Sequence, residues 1–173
     1  QMQAIHKEMD KLQEMDLFAK AEDMIDNACT EVRRIAHDMM PGALIDLGLT
    51  DAIEDLITKI TSKHGIKYDF DYDESIAFTD LQSIQLYRII QEATNNTIKH
   101  AKAKLITCQL NQTKSTIQLV ISDNGIGFDT EKLSSSKGIG IQNIKSRVQY
   151  LNGTLLISSS PEKGTSYTID IRK

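Results

Sequence analysis

The segment QEATNNTIKHA, Gln91 to Ala101, gathers a carboxylate, three amides, a cation and an imidazole within eleven residues. Glu92, Asn96, Lys99 and His100 fall at i, i+4, i+7 and i+8, so an α-helix would put them on one face. Such a face suits a metal–phosphate site. An Asn side-chain oxygen can ligate Mg2+, a hard cation that keeps waters and phosphate oxygens in its shell. Glu92, one turn earlier, could orient a metal-bound water or accept a proton. Lys99 could balance phosphate charge. An ordinary solvated helix face would carry the same residue types.

Two glycine pairs follow. In DNGIGFD, Asp123 ends an alternating apolar run, and Gly125 and Gly127 come next. A carboxylate there can accept a hydrogen bond from an exocyclic amine such as that of adenine. The glycines let the backbone turn tightly and approach a flat ring. A plain loop would read the same way. In KGIGIQNIKSRV, Gly138 and Gly140 precede a helical pattern. Backbone N–H groups at a helix N-terminus attract phosphate, and glycines let it come close. Near the end, GTSYTI places Gly164 and Thr165 at a turn, which is equally a hairpin signal.

The elements that must position these residues are legible from periodicity. TDAIEDLITKITSKHG reads as a helix starting near Thr50, with acids in its first turn and Gly65 after its end. TDLQ, Thr79 to Gln82, has capping-box spacing and opens a long helix through His100. Its expected buried face is Leu81, Ile84, Leu86, Ile89, Ile90 and Ala93. IKYDFDY, KLITCQL, STIQLVIS, GTLLISS and GTSYTIDI alternate like strands, and IGIQNIKSRVQYL reads as a helix among them. The fold class is α+β: an α/β sandwich with helices on one face of a mostly antiparallel sheet. KLSSSKG, Lys132 to Gly138, is a Ser-rich stretch expected to be flexible.

Before Pro41 the pattern is helical only. Met2, Ile5, Met9 and Leu12, then Ala21, Ile25, Ala28, Val32, Ile35 and Met39, form narrow apolar stripes in two registers. A helical hairpin over residues 1–41, supplying half of a dimeric four-helix bundle, would bury them. The remaining domain would span 42–173. A helical arm packed on its own domain is the simpler alternative.

Composition excludes little. The 173 residues carry net charge −4 and no Lys/Arg block, which argues against direct nucleic-acid binding. Cys29 and Cys108 stand alone, so a zinc or redox pair is not expected. No apolar run nears the roughly 20 residues that span a bilayer, and no signal-peptide pattern opens the chain. Its first residue is Gln1, and we expect it to be a fragment of a longer protein.

Taken in order, the helix with Glu92 and Asn96, D-x-G-x-G, a Ser-rich stretch, G-x-G before a helix, and G-T resemble the N, G1, G2 and final glycine boxes of one ATP-binding domain. That domain, the Bergerat fold, is shared by gyrase, the 90-kDa heat-shock chaperone, histidine kinases and mismatch-repair ATPases, a group called GHKL. The resemblance covers residues 45–173. It implies ATP and Mg2+ as cofactors, with Asn96 as the metal ligand and Glu92 and Lys99 as catalytic residues. It implies nucleotide contacts at Asn95, Asn96, His100, Asp123, Gly125, Gly127, Gly138, Gly140, Ile141, Gly164 and Thr165. Gly125 and Gly127 would frame adenine, Gly138 and Gly140 the phosphates, and the Ser-rich stretch the lid.

EVRRIAHDMMPGALIDLGLTDAIEDL further resembles the end of the dimerisation helices in sensor histidine kinases of the nitrate-sensor and lipid-thermosensor type, matching at Leu44, Leu47, Gly48, Leu49, Ala52 and Ile53. This implies transfer of the γ-phosphoryl group of ATP to a His, then relay to an Asp on a response-regulator receiver domain. It also implies a homodimer through the N-terminal helices and a cytoplasmic location, with any membrane anchor upstream. His37 sits in the second helix by this alignment and is too close to Asn96. His6 is followed by Lys7 where the family has an acid. The phosphoacceptor is therefore expected upstream of Gln1. An anti-sigma-type serine kinase of the same superfamily, and a non-catalytic ATP-binding dimerisation module, are the alternatives.

Overall fold

Alternating apolar side chains make the sheet, and their register shows how. The computed structural model describes residues 24–25, 42–129 and 139–173. Residues 42–173 form a unit of their own, built from α1 (Gly42–Leu47), α2 (Leu49–His64), β1 (Lys67–Tyr72), α3 (Asp80–Asn96), a π-helical turn (Thr97–Ala101), β2 (Leu105–Gln112), β3 (Thr116–Asp123), α4 (Ile139–Tyr150), β4 (Thr154–Ser159) and β5 (Thr165–Arg172). The expected hairpin over 1–41, with His6, Cys29 and His37, lies outside the described residues apart from Met24 and Ile25, which are helical and exposed. So does the whole Ser-rich stretch, Lys132 to Gly138.

The sheet runs β1-β2-β3-β5-β4. Only β1–β2 is parallel, joined by the α3 crossover, and the other three pairings are antiparallel. Period-two alternation puts one set of side chains on a single face. Ile106, Cys108 and Leu110 of β2, Ile117, Leu119 and Ile121 of β3, and Tyr167, Ile169 and Ile171 of β5 are all buried there. Burying each large aliphatic side chain contributes about 1.5–3 kcal/mol. The opposite face is polar, with Thr107 bonded to Ser122 (2.8 Å) and Gln118 to Asp170 (2.8 Å). Burial raises the pKa of the Cys108 thiol to about 12, so this thiol is protonated at neutral pH.

The helices cover the apolar face. In α2, Leu49, Ala52, Ile53 and Ile60 are buried. Gly65 ends this helix in the left-handed region, φ 66°, where a Cβ would be strained. The helix starts at Leu49 rather than Thr50, and a short α1, unforeseen from sequence, precedes it across Gly48. In α3, Leu86, Ile89, Ile90 and Ala93 are completely buried, as the spacing predicts. Leu81 departs from that expectation at 42% exposed, because it sits in the first turn, beyond the covered stretch. The capping box forms: the Gln82 N–H donates to Thr79 Oγ1 (3.2 Å) and the Thr79 N–H to Gln82 Oε1 (2.9 Å). Gln82 Nε2 also donates to the Arg172 carbonyl (3.1 Å), tying the start of α3 to the end of β5. The helix does not run α-helical to His100. It widens at Thr97, a feature common at functional sites. No described helix is long and apolar enough to cross a membrane.

Replacing Thr79 with Ala should remove the cap and destabilise the domain by about 1 kcal/mol. Urea denaturation would show this as a lower midpoint with unchanged slope.

Candidate functional site

The site grows from one end of the sheet. Tyr68, Ile106, Asp123, Thr165 and Ser159 form a single register row across all five strands. The C-terminal end of α3 lies over this row. The Tyr68 hydroxyl is 3.3 Å from Thr94 Oγ1. The Thr97 hydroxyl lies 3.2 Å from Asp123 Oδ2 and 3.2 Å from its own turn's Ala93 carbonyl. The Gly125 N–H donates to Asp123 Oδ1 (2.8 Å). Both carboxylate oxygens are therefore held, and their remaining lone pairs are available to an amine donor.

The loop after Asp123 is pinned from three sides. Asn124 Oδ1 accepts from the Lys104 and Leu105 N–H groups, both at 2.9 Å. The Ile126 N–H donates to the Ala101 carbonyl (2.8 Å) and the Glu162 N–H to the Ile126 carbonyl (2.7 Å). Ser159 accepts from the Phe128 N–H (2.9 Å) and donates to the Gly164 carbonyl (2.8 Å). The glycines explain how these backbones come so close. A Cβ on Gly125 would strike the Ala101 backbone, one on Gly127 the Ser160 and Gly164 carbonyls, and one on Gly164 the Asp123 carbonyl. At Gly164, φ is 70°, so a side chain would be strained as well as crowded. The Cβ directions of Gly125 and Gly127 thus point at protein backbone.

The second cluster lies where α4 begins. Gly140 is the second residue of α4, so the helix starts at Ile139 rather than after the glycine pair. A Cβ on Gly140 would lie 2.5 Å from Glu92 Oε1, 2.8 Å from Asn96 Oδ1 and 3.0 Å from Asn96 Nδ2. The N-terminus of α4 therefore abuts the carboxylate and the amide of α3. Asn96 Nδ2 is buried and has no hydrogen-bond partner among the described residues. An oxygen pair of this kind, beside an amide unsatisfied among the described residues and a helix N-terminus, fits Mg2+ shared with phosphate. Among the described residues no group of three or more His, Cys, Asp or Glu could hold a metal alone.

Of the residues singled out from sequence, the structure brings Glu92, Asn96 and Gly140 together, and Asp123, Gly125 and Thr165 at the end of the sheet. Ile141 is half-buried in the first turn of α4, and Asn95 is exposed. Lys99 and His100 are exposed on the π-helical turn, which ends the α-helical register that would have aligned them with Glu92 and Asn96. Sequence reasoning missed Thr97, Ser159 and Asn124. Thr97 is buried, and its polarity at a core-facing position was the available signal.

The family model for the "Histidine kinase-, DNA gyrase B-, and HSP90-like ATPase" matches residues 81–173. The chain belongs to this ATPase family. Curated relatives that it resembles are named as sensor histidine kinases. It is 38% identical to the sensor histidine kinase MctS of Rhizobium johnstonii over 152 residues, 84% of this chain and 32% of that protein. It is 38% identical to the histidine-protein kinase/phosphatase DegS of Brevibacillus brevis over 150 residues, 86% of this chain and 38% of that one. The chain thus spans about a third of the length of these two relatives. The Acinetobacter baumannii histidine kinase AdeS shares the fold, with TM-score 0.60 at 18% identity, covering 69% of this chain and 62% of that one.

Two glycine substitutions should separate site from scaffold. Gly140→Ala meets only side-chain ends, so stability should change by less than about 1 kcal/mol while ATP binding falls. Gly164→Ala meets backbone at positive φ and should cost more than about 2 kcal/mol. Denaturation midpoints together with nucleotide titration would distinguish them.

Proposed function

We propose that this chain is the catalytic part of a sensor histidine kinase that binds Mg-ATP and transfers its γ-phosphoryl group to a histidine, for relay to an aspartate on a response-regulator receiver domain. The observation that carries this reading is the convergence of Glu92 and Asn96 on Gly140 at the start of α4. It joins a hard-oxygen pair to a helix N-terminus, the combination that phosphate with a divalent cation requires. Asp123 would accept the adenine amine, held in place by Thr97 and Gly125. Gly140 and the α4 N–H groups would face the phosphates, and Asn96 Oδ1 would ligate Mg2+. When bound, Mg2+ would neutralise phosphate charge. Glu92 would orient a proton or water beside the phosphates, and exposed Lys99 would add positive charge. Catalysis of this kind is mainly positioning and electrostatic stabilisation.

The relatives support the wider assignment, since they are named as sensor histidine kinases. Dimerisation through the residues before Pro41, a receiver-domain partner and a cytoplasmic location belong to the same proposal.

Asn96→Ala and Asp123→Ala should each weaken Mg-ATP binding by at least about tenfold, the loss of one hydrogen bond or ligand to a charged group. Isothermal titration of each folded variant checks this. Unchanged affinity in both would refute the site.

A further inference from the structure

The seam between α3 and α4 holds a cation that nucleotide binding does not use. At one end Gly140 meets Glu92 and Asn96. Further along, Arg147 Nη1 donates to Gln85 Oε1 (3.0 Å). The two helices therefore run antiparallel, and Arg147 lies about two turns, or about 10 Å, along α4 from Gly140. There Gln85, Asn143, Ser146, Arg147 and Tyr150 line a cleft of about 310 Å3.

Arg147 is half-buried. Among the described residues its one hydrogen bond goes to a neutral amide, and no carboxylate pairs with it. A guanidinium is a planar fork of five N–H donors that is always charged. A single amide bond leaves most of that fork, and the charge, without a partner. The rest of the lining also donates. Gln85 spends its amide oxygen on Arg147 and keeps its NH2 group, Asn143 has another, and Ser146 and Tyr150 have hydroxyls. None of the five residues is acidic. The whole of α4 carries Lys145 and Arg147 and no acid, in a chain of net charge −4.

The shape of the cleft selects the kind of ligand. A small-molecule site buries most of its ligand, but here Asn143, Ser146 and Tyr150 are exposed, Tyr150 at 63%. A free ion would find a floor and no lid. An anionic side chain carried on a partner surface would bring the lid with it. Arg and Tyr are the residue types enriched at the energetic centres of protein interfaces. Two cations without a Lys/Arg block are too few to follow a nucleic-acid backbone.

We propose that this cleft docks an acidic protein partner, with the Arg147 fork taking a partner Asp or Glu carboxylate and the Tyr150 ring packing beside it. The docking goes beyond nucleotide binding and does not depend on it.

The test uses the full chain and a decaglutamate peptide, with succinate and inorganic phosphate as small-anion probes at matched ionic strength. The readout is the Arg147 Nε–H signal in a 15N spectrum, assigned with Arg147→Lys. The expected result is a saturable shift with the peptide and none with the small anions at the same carboxylate or phosphate concentration. Arg147→Gln should weaken peptide binding by about tenfold, the loss of one charge-assisted pair, with Mg-ATP affinity unchanged. Tyr150→Ala, at an exposed position, should also weaken the peptide and leave the melting temperature alone. Gln85→Leu removes the one bond of Arg147 but keeps its charge, and should keep peptide binding. An Arg147 signal that ignores the peptide, with Gln85→Leu and Arg147→Gln lowering the melting temperature alike, would make Arg147 a brace between helices and overturn the proposal. An equal loss of peptide binding in Lys145→Gln would mean diffuse surface charge, and a shift as large with succinate or phosphate would mean a small-anion site. Either would overturn it too.

Discussion

Leu86, Ile89, Ile90 and Ala93 bury completely, and this fixes α3 across the apolar face of the sheet. The other contacts of the site follow from that placement. With the stripe seated, Thr94 comes to Tyr68 and Thr97 comes to Asp123. A hydrogen bond contributes about 1 kcal/mol, against about 1.5–3 kcal/mol for each large aliphatic side chain of the stripe. The hydrophobic burial supplies the energy, and the polar contacts choose the register.

That division lets the site carry strain and unsatisfied groups. The Asn96 amide nitrogen, buried and without a partner among the described residues, is a local cost. It persists because the helix bearing it is held elsewhere. The π-helical turn works in the same way. It loses α-helical hydrogen bonding at Thr97–Ala101 but delivers the Thr97 hydroxyl to Asp123 and the Ala101 carbonyl to the Ile126 N–H. Two strands, a helix end and a loop meet there at backbone distance, and the glycines at 125, 127 and 164 make room for them.

Under the proposed function the two clusters would serve opposite ends of an elongated ligand. Asp123 is clamped and offers acceptor capacity. The Glu92–Asn96–Gly140 cluster combines acceptor oxygens with the positive end of α4. A molecule with a donor amine at one end and phosphates at the other matches this arrangement. The ATPase family to which the chain belongs is consistent with that match.

The sequence by itself determined the elements and the identity of most of the chemistry. Strand alternation, the Thr79–Gln82 capping box and the glycine after α2 are local signals, set by backbone propensity and short-range hydrogen bonds, and they survive into the fold unchanged. Glu92, Asn96, Asp123 and Gly140 were legible because their types are unusual at such spacing. Only the tertiary structure decided what the glycines touch, that the helix widens at Thr97 and leaves Lys99 and His100 exposed, and that Ser159 joins the site. Those residues lie in different elements, brought together by strand register and by the seating of α3. Neither can be read from a local window, because both depend on which distant apolar surfaces bury each other.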